Sequence, residues 1–250
     1  MKWATLGQHA GSPPGSGSKL VGSVAPPERG EQPRCRECQL RRPSWRATPP
    51  PGRHFDHAEG NLALGPEGTW LVSQANSRGM MKQDRIINMV VKSYEQKAYP
   101  KSAWPDITFD KTMQFHFNGE RIDLIHFGPA HTTGDAAVFF RRHNAVHMGD
   151  VYNNSGYPFI DAGNGGEFDG LIKFCSKTLK QIDENTVVIP GHGPVSDYQG
   201  LADYTEMLTI IHERMMALID NGASLEDVYA AKVTKEWDKK QGNPTGFINR

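Results

Sequence analysis

The segment His54-Phe55-Asp56-His57 is the most informative stretch of the sequence, because it places two imidazoles and one carboxylate within four positions. This spacing is too crowded for one regular element to direct inward, so we expect a loop to carry it. Loops at the end of a sheet are where binding sites tend to form. Imidazole nitrogen and carboxylate oxygen are ligands that zinc and similar first-row metals accept. The segment therefore predicts one part of a metal site.

Three later segments repeat the theme of a His or an Asp placed at the end of an apolar run. They are GPAHTTGD at 128–135, HMGD at 147–150 and PGHGP at 190–194. Each segment alone is more typical of a turn or a cap than of a metal ligand. Their recurrence favours a shared site, and the Gly-rich segment at 157–166 is placed to form a wall of it.

Taken in order, HFDH, HTTGD, HMGD and PGHGP resemble the metallo-β-lactamase superfamily, whose signature HxHxDH is followed by distant His, Asp and His ligands. The resemblance covers about residues 54–250 and implies an α/β fold, the αβ/βα sandwich. It implies up to two Zn²⁺ ions per chain. The first would be bound by His54 and His131, the second by Asp56, His57 and His192, and Asp150 would bridge them.

The resemblance also implies a mechanism, in which a hydroxide that bridges two metals attacks a substrate carbonyl. Asp56 would orient this nucleophile in addition to binding metal. Thr132, Thr133 or Asp135 would hold the ligand imidazoles in place. An Asp rather than a Cys at position 150 is similar to glyoxalase-II-like and general hydrolases of the superfamily.

The sequence departs from the family pattern before His54. Gly52 stands where the first His of HxHxDH is expected, so the first metal site lacks one ligand. Residues 1–52 are rich in Pro, Gly and Arg, which predicts a disordered tract in place of the first strands, followed by an incomplete domain at 53–250. Two interpretations stay open: an aberrant reading of the N-terminal segment, or a family member that has lost catalysis. Cys35-Arg-Glu-Cys38 is half of a zinc knuckle and receives no role.

Periodicity predicts both strands and helices in the remaining chain, as an α/β layered architecture requires. The predicted strands are 113–117, 121–127, 136–140, 145–148 and 186–189. The predicted helices are 84–94, 168–182 and 204–219, and a last one that begins with a capping box at Ser224 and Asp227.

Composition excludes some classes of partner. Lys plus Arg and Asp plus Glu both number 28, so no net charge favours a nucleic acid or an anionic membrane. No apolar run approaches the length of about 20 residues that a membrane-spanning helix requires. We expect a small-molecule substrate, with a β-lactam first and a thioester of the glyoxalase-II type second. A degenerate, non-catalytic metal-binding protein stays open, as does an oligomer formed through an exposed sheet edge.

Overall fold

A computed structural model describes residues 54–89 and 93–250, so the predicted tract at 1–52 and its cysteine pair lie outside the described residues. The helices within these ranges are α1 Phe55–Ala58, α2 Gly60–Leu64, α3 Ala75–Met81, α4 Phe168–Leu179, α5 Tyr198–Asp220, α6 Leu225–Ala231, α7 Asp238–Gln241 and α8 Thr245–Ile248. The strands are β1 Val72–Gln74, β2 Arg85–Asn88, β3 Ser93–Gln96, β4 Ile107–Phe109, β5 Thr112–Phe117, β6 Glu120–Ile125, β7 Ala137–Phe140, β8 Ala145–Asn153 and β9 Val187–His192. Short 3-10 helices span Lys101–Ala103 and Ala162–Asn164.

The largest sheet of the described residues has five strands in the order β5-β6-β7-β8-β9. Its first four strands are antiparallel neighbours, whereas β8 and β9 run parallel. Parallel neighbours need a long crossover, and α4 supplies it between β8 and β9. Because this sheet brings the ends of β8 and β9 together, it places the HMGD and PGHGP segments side by side.

The two faces of this sheet have different apolar coverings. One face packs under α4 and α5, where Val146, Met148 and Val188 are fully buried with Leu171 and Leu208 of the helices. The opposite face carries Leu124 and Val138, which pack with residues of the parallel β1–β4 pair. The prediction of an α/β layered fold is confirmed.

The helix predicted at 84–94 is wrong, because β2 and β3 of this segment form an antiparallel pair instead. Ile87 is 2 % exposed whereas its neighbour Ile86 is 61 % exposed. This alternation is the period of a strand, and isoleucine is a β-branched residue that favours strands over helices. In the sequence, Ile86 and Ile87 stand at helical spacing from the valines that follow, and this spacing led to the wrong prediction.

The other predicted elements are present with shifted bounds. The five predicted strands correspond to β5 to β9, and β8 continues beyond Asp150 to Asn153. Helix α5 begins six residues before its predicted start, since the Asp197 side chain caps it by accepting from the Gly200 amide at 2.8 Å. The capping box of Ser224 and Asp227 is confirmed at α6. No helix in the described part of the chain is long and apolar enough to cross a bilayer.

Candidate metal centre

The HFDH segment is a single helical turn rather than the predicted loop. The carbonyl of His54 accepts from the His57 amide at 3.0 Å and from the Ala58 amide at 2.9 Å, which starts α1 at the next residue. Ala58 is buried with Met81 and anchors this turn. One short turn can therefore direct both imidazoles and the carboxylate of Asp56 toward the sheet, because His54 precedes the helix and its companions lie on it.

His131 lies in a turn that a buried carboxylate holds together. Asp135 accepts from the Thr132 amide at 2.8 Å and from its hydroxyl at 3.0 Å. Burial raises the pKa of Asp135 to about 7. Thr133 contacts the sulfur of Met80 at 3.4 Å. Thr132, Thr133 and Asp135 were predicted to hold the ligand imidazoles, but their described contacts stabilise the turn. The ligand imidazoles have other hydrogen-bond partners.

Asp150 lies within β8, three residues before its end at Asn153, and His192 is the last residue of the parallel strand β9. Gly149 has φ +54°, a conformation that favours glycine, and it lies at an irregularity in the β8–β9 register. Gly191 packs so closely that a Cβ there would meet an Asp150 oxygen at 2.2 Å. The bulge and the close glycine bring the Asp150 carboxylate next to the end of β9, where His192 follows.

The first group of potential ligands, here called the inner triad, comprises His54, His131 and Asp150, all of them buried. The Nε2 atom of His131 lies 3.3 Å from Nδ1 of His54 and 3.4 Å from Oδ2 of Asp150. The three ligand atoms all lie within 4.8 Å of one another. The inner triad therefore converges on one point although its members are up to 96 positions apart, from 54 to 150.

The second group, the outer triad, comprises Asp56, His57 and His192 and is more open to solvent. Nε2 of His57 lies 3.2 Å from Nε2 of His192 and 3.4 Å from Oδ2 of Asp56, and the third side of the triangle is 3.2 Å. Oδ1 of Asp150 lies 3.0 Å from His57 and 3.3 Å from His192. Asp150 therefore turns one oxygen toward each triad.

The protonation states of His131 and Asp150 in the inner triad suit metal binding. Burial lowers the pKa of His131 to about 4, so its imidazole is neutral at neutral pH. Burial opposes ionisation of Asp150, but the neighbouring His131 and His57 hold its pKa below the usual range. A neutral imidazole and an ionised carboxylate are the forms that bind metals.

Hydrogen bonding and charge act differently on the outer triad. The hydrogen bond with Asp56 raises the pKa of His192. Burial opposes protonation of His57, yet the Asp150 carboxylate raises its pKa overall. Partial burial opposes ionisation of the Asp56 carboxyl, but its hydrogen bond with His192 and the charges of His57 and His192 together lower its pKa. Protons and a metal ion would therefore compete for this triad.

The sequence analysis did not predict the hydrogen-bond partners of His54 and His131. These partners belong to the Gly-rich segment at 157–166, which was predicted to form a wall of the site. Oδ2 of Asp161 lies 2.9 Å from Nε2 of His54, and Nδ1 of His131 lies 2.5 Å from the Phe159 carbonyl. Asn164 donates to Asp161 at 2.7 Å. A carboxylate or carbonyl behind a ligand imidazole fixes its tautomer and orientation. The only signal in the sequence is an acidic residue inside a Gly-rich segment.

No protein-family model matches the sequence. No curated protein matches it either. Solved structures do resemble its fold. A metallo-beta-lactamase from Pontibacter korlensis has a TM-score of 0.50 at 17 % identity, over 64 % of this chain and 67 % of its own. The B3 metallo-beta-lactamase BLEG-1 has a TM-score of 0.52 at 18 % identity, over 63 % of this chain and 74 % of its own.

A third structure with the same kind of likeness carries a different enzymatic name. The stereoselective inverting sec-alkylsulfatase Pisa1 from Pseudomonas sp. has a TM-score of 0.51 at 12 % identity, over 74 % of this chain and 36 % of its own. Identities this low establish the fold alone. The expected fold is confirmed, and the reaction has to be argued from the site.

Proposed function

We propose that this chain, which has the metallo-β-lactamase fold, is a two-metal hydrolase that holds two Zn²⁺ ions in its inner and outer triads. The observation that carries the proposal is the spacing of the ligand atoms. Tetrahedral Zn–N bonds of about 2.0–2.1 Å separate neighbouring ligand atoms by about 3.3–3.4 Å. The five closest pairs within the two triads are 3.2–3.4 Å apart.

The unsatisfied atoms of the site support the same proposal. Oδ1 of Asp150 is buried without a hydrogen bond of good geometry among the described residues, although two imidazole nitrogens lie within 3.3 Å of it. Both nitrogens belong to the outer triad, so this oxygen is placed to share a cation with them. A buried carboxylate oxygen without a partner is costly unless a cation satisfies it.

The ligand count is sufficient despite Gly52. Catalytic zinc sites hold three protein ligands and keep a further position open. The inner triad supplies three ligands from His54, His131 and Asp150, and the outer triad supplies three of its own. We therefore expect both sites to be occupied, each with a coordination position left to water or substrate.

The side chains of the site would divide the chemical work. Two metal ions, if held by these triads, would supply a water of lowered pKa and polarisation of a substrate carbonyl oxygen. Asp56 is exposed at the outer triad, where its carboxylate can accept a proton from water and orient it. The Asp150 carboxylate, a member of the inner triad, has its other oxygen beside His57 and His192 and would link the two triads. His131 stays neutral at neutral pH, which is the form that binds a metal ion.

For the substrate we propose a carbonyl compound, with a β-lactam as the leading candidate. Two of the three similar structures reported above carry the name metallo-beta-lactamase, while the third is an alkylsulfatase. Because one fold hosts several reactions, thioester hydrolysis is the second candidate. A metal-binding protein without catalysis is the third.

The first test is metal content per chain, measured by plasma emission spectroscopy after dialysis against metal-free buffer and reloading with Zn²⁺. We expect two equivalents. One equivalent would contradict the two-metal proposal, and none would contradict metal binding altogether. Chromogenic β-lactam and thioester substrates then test the reaction, and two equivalents without turnover of either would leave the metal-binding alternative.

A pair of histidine variants links the activity to the site. His192→Ala removes an outer ligand, and we expect hydrolysis to fall at least about 100-fold, because even a partner behind a ligand is worth 10–100-fold. His116→Ala removes an exposed imidazole whose described contact is Gln114, and it serves as the matched control. Equal activity of the two variants would contradict the assignment of His192.

A further inference from the structure

One segment, residues 157–161, makes hydrogen bonds with both imidazoles of the inner triad. The Phe159 carbonyl meets Nδ1 of His131, and the Asp161 amide donates to the His131 carbonyl at 2.9 Å. The Asp161 carboxylate meets Nε2 of His54 at 2.9 Å. The position of this segment therefore sets the position of two ligands at once.

The Phe159 ring also contacts both imidazoles. Its centroid lies 5.3 Å from that of His54 and 5.6 Å from that of His131. The guanidinium carbon of Arg250 lies 3.5 Å from the same centroid. Phe159 thus contacts both the Arg250 guanidinium and the two imidazoles.

Arg250 is fixed on this segment by more than the ring contact. Its Nη1 donates to the Ile160 carbonyl at 3.1 Å, and its backbone amide donates to Phe247 at 3.3 Å. Phe247 in turn stacks on Tyr157 with an interplanar angle of 4° and a centroid distance of 5.3 Å. Burial lowers the pKa of Arg250 to about 10, and the nearby Asp161 carboxylate works against this shift, so the side chain stays charged at neutral pH.

We propose that Arg250 is a positioning residue for the inner triad. Its side chain keeps residues 159–161 in contact with His54 and His131. The inference rests on the proposed function, in that the inner triad is taken to bind metal. The inference also predicts that Arg250 affects the metal affinity of the inner triad and leaves that of the outer triad unchanged. Members of the outer triad make no contact with this segment that the structure describes. Arginine suits the role because a planar guanidinium can stack on a ring while it donates to a carbonyl.

The test compares Arg250→Ala with Arg250→Lys in a two-site Zn²⁺ titration against a coloured chelator. We expect the affinity of one site to fall about tenfold in Arg250→Ala, near the lower end of the 10–100-fold known for partners behind ligands. The other site should change less than twofold. Lysine keeps the charge but has no planar group to stack on the ring, so Arg250→Lys should recover little of the lost Zn²⁺ affinity. Lys240→Ala, at α7, is the control.

A readout on metal-free protein keeps this proposal separate from the proposed function. Nitrogen NMR of the imidazoles reports which ring nitrogen of His131 carries the proton, and contact with the Phe159 carbonyl requires Nδ1–H. We expect this tautomer to dominate in the natural chain and to be mixed in Arg250→Ala, while circular dichroism shows both proteins folded. An unchanged tautomer, or equal weakening of both metal sites, would overturn the role of Arg250. Absence of any metal binding with the tautomer shift intact would overturn the proposed function alone.

Discussion

Replacing Asp161 by asparagine should weaken one metal site and spare the other. Asp161 is fully buried, and its Oδ2 accepts from His54 while its Oδ1 has no hydrogen-bond partner among the described residues. Asparagine keeps the size and the hydrogen bond but removes the negative charge that makes the imidazole a stronger ligand. Loss of such a partner costs 10–100-fold in metal affinity, which corresponds to about 1.4–2.7 kcal/mol.

The measurement is a Zn²⁺ competition titration of Asp161→Asn beside the natural chain, with the two sites fitted separately. Asp123→Asn is the matched control, because Asp123 is another buried carboxylate, paired with Arg121 and Arg141 on the sheet. We expect the control to lower the free energy of unfolding without changing metal affinity. If Asp161→Asn bound both ions as tightly as the natural chain, or lost both equally, the reasoning about His54 would be refuted.

Two further perturbations probe the same site. In Gly166→Ala, a Cβ would lie 2.3 Å from the His131 carbonyl oxygen and 3.0 Å from the Asp161 amide, so we expect one Zn²⁺ site to weaken in chelator competition. In Gly163→Ala the nearest atom would be 3.8 Å away, and unchanged affinity of Gly166→Ala relative to this control would contradict the argument. Acid should destabilise the metal-free protein through His131, because its folded pKa of about 4 lies below the unfolded value of 6.5. The unfolded state then binds the extra proton as pH falls from 6.5 to 4, which costs about 3 kcal/mol over that window. Urea unfolding across this range should show a smaller loss in His131→Gln, and an identical loss would contradict the assignment.

The sequence was sufficient to predict the elements whose apolar pattern matches their burial. Strands β5 to β9 alternate or are buried runs, and helix α4 has Leu171 and Cys175 one turn apart on its buried face. The same pattern analysis gave a wrong prediction for the segment at 84–94, because Ile86 and Ile87 are consecutive and fit the period of a helix as well as that of a strand. Only pairing with β3 decides between them, and that pairing is a tertiary contact.

The site residues were predictable to the extent that they occur in dense motifs. HFDH and PGHGP are visible because imidazoles stand beside glycines or carboxylates, and the structure brings all six predicted residues into two triads. Asp161 was not predictable in this way, because it is 107 positions from His54 and carries no motif of its own. A partner behind a ligand is defined by where two distant segments meet, which composition and spacing do not encode.

The unequal burial of the two triads suggests how the site is approached. The inner triad is enclosed by the Tyr157–Asp161 segment, whereas Asp56 and His192 of the outer triad have side chains 38 % and 47 % exposed. A substrate that comes from solvent would therefore meet the outer triad first, and Asp150 would transmit its effect inward because one oxygen faces each triad. Under the proposed function, this asymmetry would divide the work: the buried inner triad would hold a metal ion, while the open outer triad would exchange protons and meet the substrate. A buried inner site beside a more open, titratable outer one would suit hydrolysis, since the water that reacts must both be held and give up a proton.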